Sequence, residues 1–505
     1  MLFNTIQFVI FFCCIFFLYY RTPKQHRYLI LLFSSYYFYS CWKLEALYLI
    51  MGSTLIDFYL GRKLEEAEEQ TQRKKYLYLS VGSNFLVLFI FKYFEFFSPA
   101  FKSIFEYWNL NYPLNNVEIF LPLAISFYTL QKISYCVDVY YKKIPAEKHL
   151  GHFALFVAFW PQLVAGPIER AGNIIPQLKK HHEFDYQRVT DGLRLMLWGF
   201  FKKIVIADRL AAIVNLGYSN TETTPGIILL VSTYFFAFQI YCDFSGYTDI
   251  ARGSAKIFGI DLMENFRLPY YARTLSEYWK RWHISLSTWF KDYVYIPLGG
   301  NRVSKPRWYF NIFMVFFLSG VWHGANWNFL AWGALHGIMM VFAVFTMKER
   351  TRLASFFKID KNPAFLNCWK IFWTFHLLLL GRVFFRATTI SDAFNILKSF
   401  VFKIPQELSH LFNSFVLGTA NATNLFSNFS LVDTGVNKRD FVIGALLILL
   451  LETIHFLSRK DTLAIEERIG SFNKFFRRTA YYAALVLIFA LGTYGTQEQF
   501  IYFHF

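Results

Sequence analysis

Residues 308–347 read WYFNIFMVFFLSGVWHGANWNFLAWGALHGIMMVFAVFTM, forty positions without a single Asp, Glu, Lys or Arg. A straight helix of this length would measure ~60 Å, about twice the thickness of a bilayer core. The segment therefore has to fold back on itself, and Gly324-Ala325-Asn326 is the natural break because Gly and Asn interrupt helices. His323 directly precedes this break. An ionisable side chain kept inside an apolar membrane segment indicates a functional site.

The composition of the whole chain is that of a membrane protein. Of its 505 residues, 55% are hydrophobic, 21% aromatic and only 17% charged, which is too few charges to solvate a soluble globule of this size. Apolar stretches recur along the chain and predict an all-α polytopic protein with about eleven or twelve spans. The hydrophilic stretches between them are too short to bury an independent core. Residues 1–505 are therefore predicted to form one membrane domain.

The basic residues are distributed unevenly between the loops. Lys and Arg number 51 against 34 Asp and Glu, a net charge of +17, and they cluster in loops such as 62–75 and 142–148, whereas residues 98–116 contain Lys102 alone. This alternation is the positive-inside pattern, and it predicts cytoplasmic basic loops and an outside N-terminus. Orientation and attraction to anionic lipid explain the charge, so no nucleic-acid partner is expected. The six cysteines lack metal-ligand spacing, and no metal site is predicted.

Two segments do not fit regular spans. Residues 150–168 are apolar, but Pro161 lies at their centre and basic residues flank both sides, which predicts a re-entrant element. Residues 243–307, here called the basic surface, contain ten Lys and Arg residues with Trp and Tyr interleaved. They predict an amphipathic layer at the cytoplasmic boundary, from which His283 could point inward. Lipid anchoring is an alternative role for the cations and the favoured role for the aromatic residues.

Four motifs carry a family resemblance. Residues 282–302, WHISLSTWFKDYVYIPLGGNR, and 318–325, LSGVWHGA, resemble the signature of the membrane-bound O-acyltransferase (MBOAT) family. Residues 161–168, PQLVAGPI, and 241–249, YCDFSGYTD, are similar to motifs of its bacterial branch, the membrane subunits of alginate and peptidoglycan O-acetylation systems. At motif level the resemblance covers about residues 115–345, the implied catalytic core, and it implies helices arranged around a central tunnel.

The resemblance implies an acyltransferase in which His323 is the essential catalytic residue. It also implies that His283, the second motif histidine, approaches from the cytoplasmic side. Transfer of an acetyl group to a hydroxyl needs a base, and an imidazole with an ordinary pKa of ~6.5 suits this task near neutral pH. Whether His323 acts as a base or carries the acetyl group covalently is left open.

The implied donor is acetyl-CoA, a substrate rather than a bound cofactor. Its phosphates are expected to contact Lys280, Arg281, Lys291 and Arg302 on the basic surface. The implied acceptor is a cell-envelope polysaccharide on the far side of a bacterial inner membrane. The implied partner is a secreted or periplasmic SGNH-type acetyltransferase or esterase.

Three further residues are candidates for supporting roles. Asn326 could bond a histidine ring or a developing oxyanion, or equally cap the following helix. His336 is expected to pack or to act behind His323. Asp243 and Asp249 bracket a Ser-Gly pair taken as the end of a span, where they could orient a histidine or cap the helix.

Two other functions compete with O-acetylation. A transporter of lipid-linked or glycan precursors would also have broken helices and intramembrane ionisable groups, although the two halves of the sequence show no internal repeat. D-alanyl transfer to teichoic acid from a carrier protein shares the same catalytic logic. The motif 293–302 favours O-acetyl transfer.

Overall fold

The structure is a computed structural model that describes residues 1–113, 119–164, 166–416, 438–459, 465–493 and 500–501. Within these ranges the fold is α-helical, and the extended pairing is limited to an isolated antiparallel bridge between Phe266 and Trp282. The α-helices are Ile6–Arg21, Arg27–Ser40, Leu44–Glu66, Gln70–Leu88, Phe94–Tyr107, Ile125–Tyr140, Leu150–Ala158, Trp160–Leu163, Ala171–Lys179, Tyr186–Phe200, Asp208–Tyr218, Gly226–Ile257, Leu275–Trp279, Ile284–Phe290, Lys305–His323, Trp327–Phe345, Met347–Phe356, Pro363–Arg386, Ile390–Lys398, Ile404–Val416, Lys438–Ser458, Ile465–Ser471 and Lys474–Leu491.

Six of the described helical segments are long and apolar enough to cross a membrane. They are Leu44–Glu66, Gln70–Tyr107, Gly226–Ile257, Trp327–Phe345, Pro363–Arg386 and Lys438–Ser458. Shorter apolar helices, Ile6–Arg21 and Leu150–Leu163, accompany them. The chain is therefore an all-α multi-pass membrane protein, whereas the total of eleven or twelve spans stays a prediction.

The hairpin predicted for residues 308–347 is confirmed. Its first arm is Lys305–His323 and its second arm is Trp327–Phe345, with the break at the predicted place. The arms cross closely because glycines face each other: a Cβ on Gly320 would lie 2.4 Å from the carbonyl oxygen of Phe329. Small residues at such crossings let membrane helices approach each other. His323 is thereby fixed at the end of a tightly packed arm.

The central helix, Gly226–Ile257, shows that one prediction is wrong. Asp243 and Asp249 do not mark the end of a span, because the helix continues through both of them. Each carboxylate lies 2.7 Å from the ammonium of a buried lysine on the neighbouring helical segment, Asp243 from Lys203 and Asp249 from Lys202. Paired charges remove most of the cost of burying either partner alone, so the helix can extend past the apolar stretch.

The predicted re-entrant segment, residues 150–168, is not one continuous helix, as expected. It forms two short helices, Leu150–Ala158 and Trp160–Leu163, and its apolar residues from 153 to 164 are buried. The two flanks meet, because the Lys179 ammonium lies 2.6 Å from a Glu147 carboxylate oxygen. Chain entering and leaving at neighbouring points supports the re-entrant interpretation.

The helical segment Gln70–Tyr107 extends beyond the span expected from its apolar residues. Helix continues through Lys92 by way of a π-helical turn, Phe89–Tyr93, and into Phe94–Tyr107. The loop expected from residue 98 therefore begins after Tyr107. Inserted turns of this kind recur at functional sites.

Described residues near both ends of the chain pack against the central helix. The Phe3 and Phe500 rings lie 4.4 Å and 4.7 Å from the Tyr247 ring, and the Ile501 backbone N–H donates to Asp243 over 2.8 Å. The carboxylate that pairs with Lys203 thus also anchors a residue near the C-terminus.

Candidate active site

The His323 ring is enclosed by aromatic side chains. It is buried at the end of the first hairpin arm, and the rings of Trp322 and Trp332 each lie 4.9 Å from it. The Phe385 ring lies at 5.4 Å and comes from the helix Pro363–Arg386. Three helices therefore fix the position of this imidazole.

His283 reaches the same place from the basic surface. It directly precedes the helix Ile284–Phe290 and has a left-handed backbone, with φ of 44° and ψ of 54°. This conformation costs about 1–3 kcal/mol for a residue other than glycine, and such strain clusters at functional sites. The buried ring lies 4.7 Å from Phe244 and 6.2 Å from Trp322. Both motif histidines therefore contact one indole, that of Trp322.

The short helix after His283 is tied into the core. The Ser285 hydroxyl accepts a hydrogen bond from the Ile168 N–H over 3.0 Å, and the Ser285 N–H donates to Asn265. The Trp289 indole donates to the Leu130 carbonyl over 2.9 Å. These contacts connect the basic surface to the re-entrant segment.

The membrane-interface role predicted for the aromatic residues is wrong for two of them. Trp282 and Trp289 are only 3% and 5% exposed, because they pack inside the protein and support the residues around His283. Trp279 faces inward as well, with its ring 5.2 Å from the His336 ring.

A cavity of about 230 Å³ has His323 and Trp322 in its wall. The other lining residues include Trp42, Lys92 and the stretch 121–127. Trp42 precedes the helix Leu44–Glu66, whose far end carries Arg62 and Lys63. The cavity therefore lies at the end of the molecule opposite this basic loop.

The three residues considered for supporting roles have different contacts in the structure. His336 packs against Trp332, with ring centres 4.7 Å apart, and joins the aromatic cluster around His323. Asn326 caps the second arm, because its side-chain oxygen accepts from the Asn328 N–H over 3.0 Å. Asp243 contacts Lys203 and the Ile501 N–H, so the structure places it in an ion-paired site, and its role in orienting a histidine stays a prediction.

The residues expected to bind the donor lie at the surface. Lys280, Lys291 and Arg302 are exposed, and Lys291 lies 3.5 Å from Asp292. Arg281 is half-buried and donates to Glu277 over 2.7 Å. The three exposed cations are accessible to a phosphate group, but their contact with a donor stays a prediction.

Sequence reasoning missed two cations near the histidines. The Lys92 ammonium donates to the carbonyls of Trp322 and His323. The Arg382 guanidinium lies 4.2 Å from the Trp282 ring centre and donates to the Tyr278 hydroxyl over 2.6 Å. For Lys92 the signal was available, because it is a lone cation beside an apolar stretch, the pattern that marks functional positions in membranes. Arg382 stood out less, because Lys370 and Arg386 lie on the same helix.

The family model of the membrane-bound O-acyltransferases matches residues 6–386, which include both histidines and the cavity. The chain belongs to the membrane-bound O-acyltransferase family. It is therefore a membrane-bound O-acyltransferase, and the fold and enzyme class expected from the motifs are confirmed.

Individual relatives differ in the reactions that their names describe. The chain is 36% identical over 406 residues to a protein of Pseudomonas putida named probable alginate O-acetylase, covering 80% of each chain. It is 36% identical over 400 residues to the peptidoglycan O-acetyltransferase of Helicobacter pylori, covering 74% of this chain and 73% of the relative. The teichoic acid D-alanyltransferase of Bacillus subtilis is 27% identical over 287 residues, or 54% of this chain and 70% of the relative.

Proposed function

We propose that this enzyme transfers the acetyl group of cytoplasmic acetyl-CoA across the inner membrane, for O-acetylation of a cell-envelope polysaccharide. The observation that carries the proposal is the meeting of His283 and His323 at the Trp322 indole. His283 belongs to the basic surface, whereas His323 lines a cavity at the opposite end from the basic loop 62–75. One site could thus be reached from both sides.

The chemistry assigned to His323 is proton transfer during acyl transfer. As an acceptor hydroxyl attacks the acetyl carbonyl, a C–O bond forms and the C–S bond of the thioester breaks. A ring nitrogen of His323 takes the hydroxyl proton and returns it to the departing thiolate, which leaves as coenzyme A. General-base catalysis of this kind contributes typically ~10²–10⁴-fold in rate.

We assign the donor site to the basic surface, the segment that contains His283. Coenzyme A is a polyanion, and Lys280, Lys291 and Arg302 present exposed positive charge on the same segment as His283. Arg281 would have to exchange its contact with Glu277 for a phosphate. Charge-assisted hydrogen bonds to phosphate are the strongest contacts that such a surface offers.

The names of the relatives support the proposed acceptor, whereas the proposed partner rests on the family resemblance. Names that specify alginate and peptidoglycan O-acetylation favour an envelope polysaccharide, with a secreted or periplasmic SGNH-type protein completing the transfer. D-alanyl transfer from a carrier protein is the second candidate, because a D-alanyltransferase matches half of the chain. The higher identity and coverage of the O-acetylating relatives favour acetyl-CoA.

Reconstituted vesicles test the donor and the direction of transfer. Purified protein is placed in proteoliposomes that enclose oligomannuronate or peptidoglycan fragments together with the SGNH-type partner, and radiolabelled acetyl-CoA is added outside. The expected result is release of the coenzyme A thiol outside and alkali-labile label on the enclosed glycan. No thiol release from acetyl-CoA, together with transfer from a D-alanyl-loaded carrier protein, would overturn the proposal in favour of the second candidate.

Cysteine labelling tests the orientation. In a background with the natural cysteines replaced, an impermeant maleimide on intact cells should label Lys102→Cys and leave Lys305→Cys unmodified. The positions are suited to the comparison because Lys102 and Lys305 are both exposed and are predicted to lie on opposite sides. The reverse labelling pattern would place the basic surface outside and exclude a cytoplasmic donor there.

A further inference from the structure

The C-terminal end of the first hairpin arm is capped by side chains from another helical segment. The last carbonyls of any helix lack partners within the helix, and many helices satisfy them by turning into a left-handed residue. Here the next residue, Gly324, is extended, so the chain leaves the helix without this closing turn. The carbonyls of Val321, Trp322 and His323 accept hydrogen bonds from elsewhere in the protein.

Two consecutive side chains supply these bonds. The Lys92 ammonium donates to the Trp322 carbonyl over 2.7 Å and to the His323 carbonyl over 3.1 Å. The Tyr93 hydroxyl donates to the Val321 carbonyl over 2.9 Å. Three successive carbonyls, the last of them that of His323 itself, are thus bound by neighbouring residues. We call Lys92 and Tyr93 the carbonyl clamp.

All three N–H donors of the Lys92 ammonium have an acceptor. An ammonium has three N–H donors, and the third reaches the Ser126 hydroxyl over 3.0 Å. Its positive charge also lies at a helix C-terminus, where the helix dipole favours a cation. The ammonium therefore connects three elements: its own helix, the N-terminal turn of the helix Ile125–Tyr140, and the first hairpin arm.

The local backbone explains how adjacent residues reach the same helix end. Lys92 and Tyr93 lie in the π-helical turn Phe89–Tyr93. Successive side chains of a regular α-helix point about 100° apart around the helix axis. A π-helical turn changes this angle. Such turns are frequent at functional sites. Lys92 is also in the wall of the cavity that His323 lines.

We infer that the carbonyl clamp positions His323 for proton transfer, with Lys92 acting through the backbone as a positioning residue. The inference rests on the proposed function of His323. Holding the last turn of the arm fixes the imidazole relative to the cavity and to Trp322. Loss of the clamp would let the last turn shift, and a misplacement of about 1 Å can cost ~10²-fold in rate.

Kinetics of Lys92→Met test the inference. The long apolar side chain keeps much of the volume but removes the charge and all three donors. In the proteoliposome assay, kcat per folded protein should fall roughly 10- to 100-fold, while the KM for acetyl-CoA stays within about twofold because Lys92 contacts no part of the basic surface. Lys92→Arg should recover most of the lost kcat, since it restores the charge and donors.

Two further variants separate positioning from general stability. Tyr93→Phe removes one hydroxyl and should lower kcat by about 2- to 5-fold, in line with the loss of one hydrogen bond of ~1 kcal/mol. Lys102→Met is the matched control, because Lys102 is an exposed lysine on the next helical segment. It should leave both constants unchanged.

The inference is overturned if Lys92→Met keeps the parent kcat, if Lys102→Met loses as much, or if only the KM rises. Should Lys92→Met fail to accumulate as folded protein, Tyr93→Phe decides, and a parental kcat for that variant counts against the clamp. Failure of the proposed function looks different, because then the parent protein itself releases no thiol from acetyl-CoA.

Discussion

Two regions of this protein bury ionisable groups, and they do so in opposite ways. Beside the central helix, Lys203 lies 2.7 Å from both Asp208 and Asp243, so charges neutralise one another. Around the hairpin break, His283 and His323 are surrounded by tryptophan and phenylalanine rings. Burial alone therefore does not mark a functional group, because the surroundings decide what the group can do.

The difference follows from the chemistry of the side chains. Lysine and aspartate are charged near neutral pH, and when they are buried they need a partner of opposite charge or, as Lys92 has, a full set of hydrogen-bond partners. Imidazole has an uncharged form that can be buried among aromatic rings and still exchange a proton. The ion-paired region is thus suited to holding helices together, and the histidine region to proton transfer. This division can be tested by changing each region in turn.

The largest effect is expected from His323→Ala. Loss of a general base should lower acetyl transfer by ~10²–10⁴-fold while the protein is still inserted and folded. His323→Gln should fare no better, because an amide cannot take the proton. His336→Ala is the matched control on the second arm and should cause only a mild loss. Transfer within a few-fold of the parent for His323→Ala would assign His323 to packing.

A large loss of stability is expected from Asp243→Ala. This change leaves Lys203 with one carboxylate and removes the acceptor of the Ile501 N–H. Breaking a buried ion pair costs about 3–5 kcal/mol when the remaining charge has no partner. Because Asp208 still pairs with Lys203, this is the upper bound of the expected loss, which thermal unfolding monitored by fluorescence-detected gel filtration should show. Asp261→Ala, which removes an exposed carboxylate, serves as the control. An unchanged unfolding midpoint for Asp243→Ala would show that this ion pair does not stabilise the fold.

A smaller effect is expected on the basic surface. Replacing Lys280 and Arg281 together by alanine should raise the KM for acetyl-CoA by about 3- to 10-fold, as expected for solvent-accessible charges worth ~0.2–1 kcal/mol each. The effect should shrink as salt is added, because salt screens exposed charges. Arg267→Ala, at an exposed arginine of the same surface, is the control. An unchanged KM would make Lys280 and Arg281 lipid anchors.

The smallest effect is expected at the hairpin break. Asn326→Ala removes the cap of the second arm and should cost about 1 kcal/mol of stability, with little change in turnover. Asn326→Ser should retain the cap and the stability. A turnover loss as large as that of His323→Ala would instead show that the amide contacts the reacting groups.

The sequence predicted those features that depend on local pattern. The hairpin, its break and the broken segment 150–168 follow from apolar length, Gly and Pro, which act on nearby residues. The continuation of the central helix could not be predicted because Lys203, the partner of Asp243, lies on a different helix. The acceptors of Lys92 could not be predicted for the same reason, since their carbonyls are 230 and 231 residues away along the chain.

The central claim is that the histidine region performs chemistry and the ion-paired region maintains the fold. The most direct test measures the unfolding midpoint and the acetyl-CoA turnover per folded molecule for His323→Ala and Asp243→Ala in parallel. The account predicts a parental midpoint with turnover lost for His323→Ala, and a lowered midpoint with most turnover retained by the folded fraction for Asp243→Ala. The opposite pattern, with His323→Ala unstable but active and Asp243→Ala stable but inactive, would contradict it.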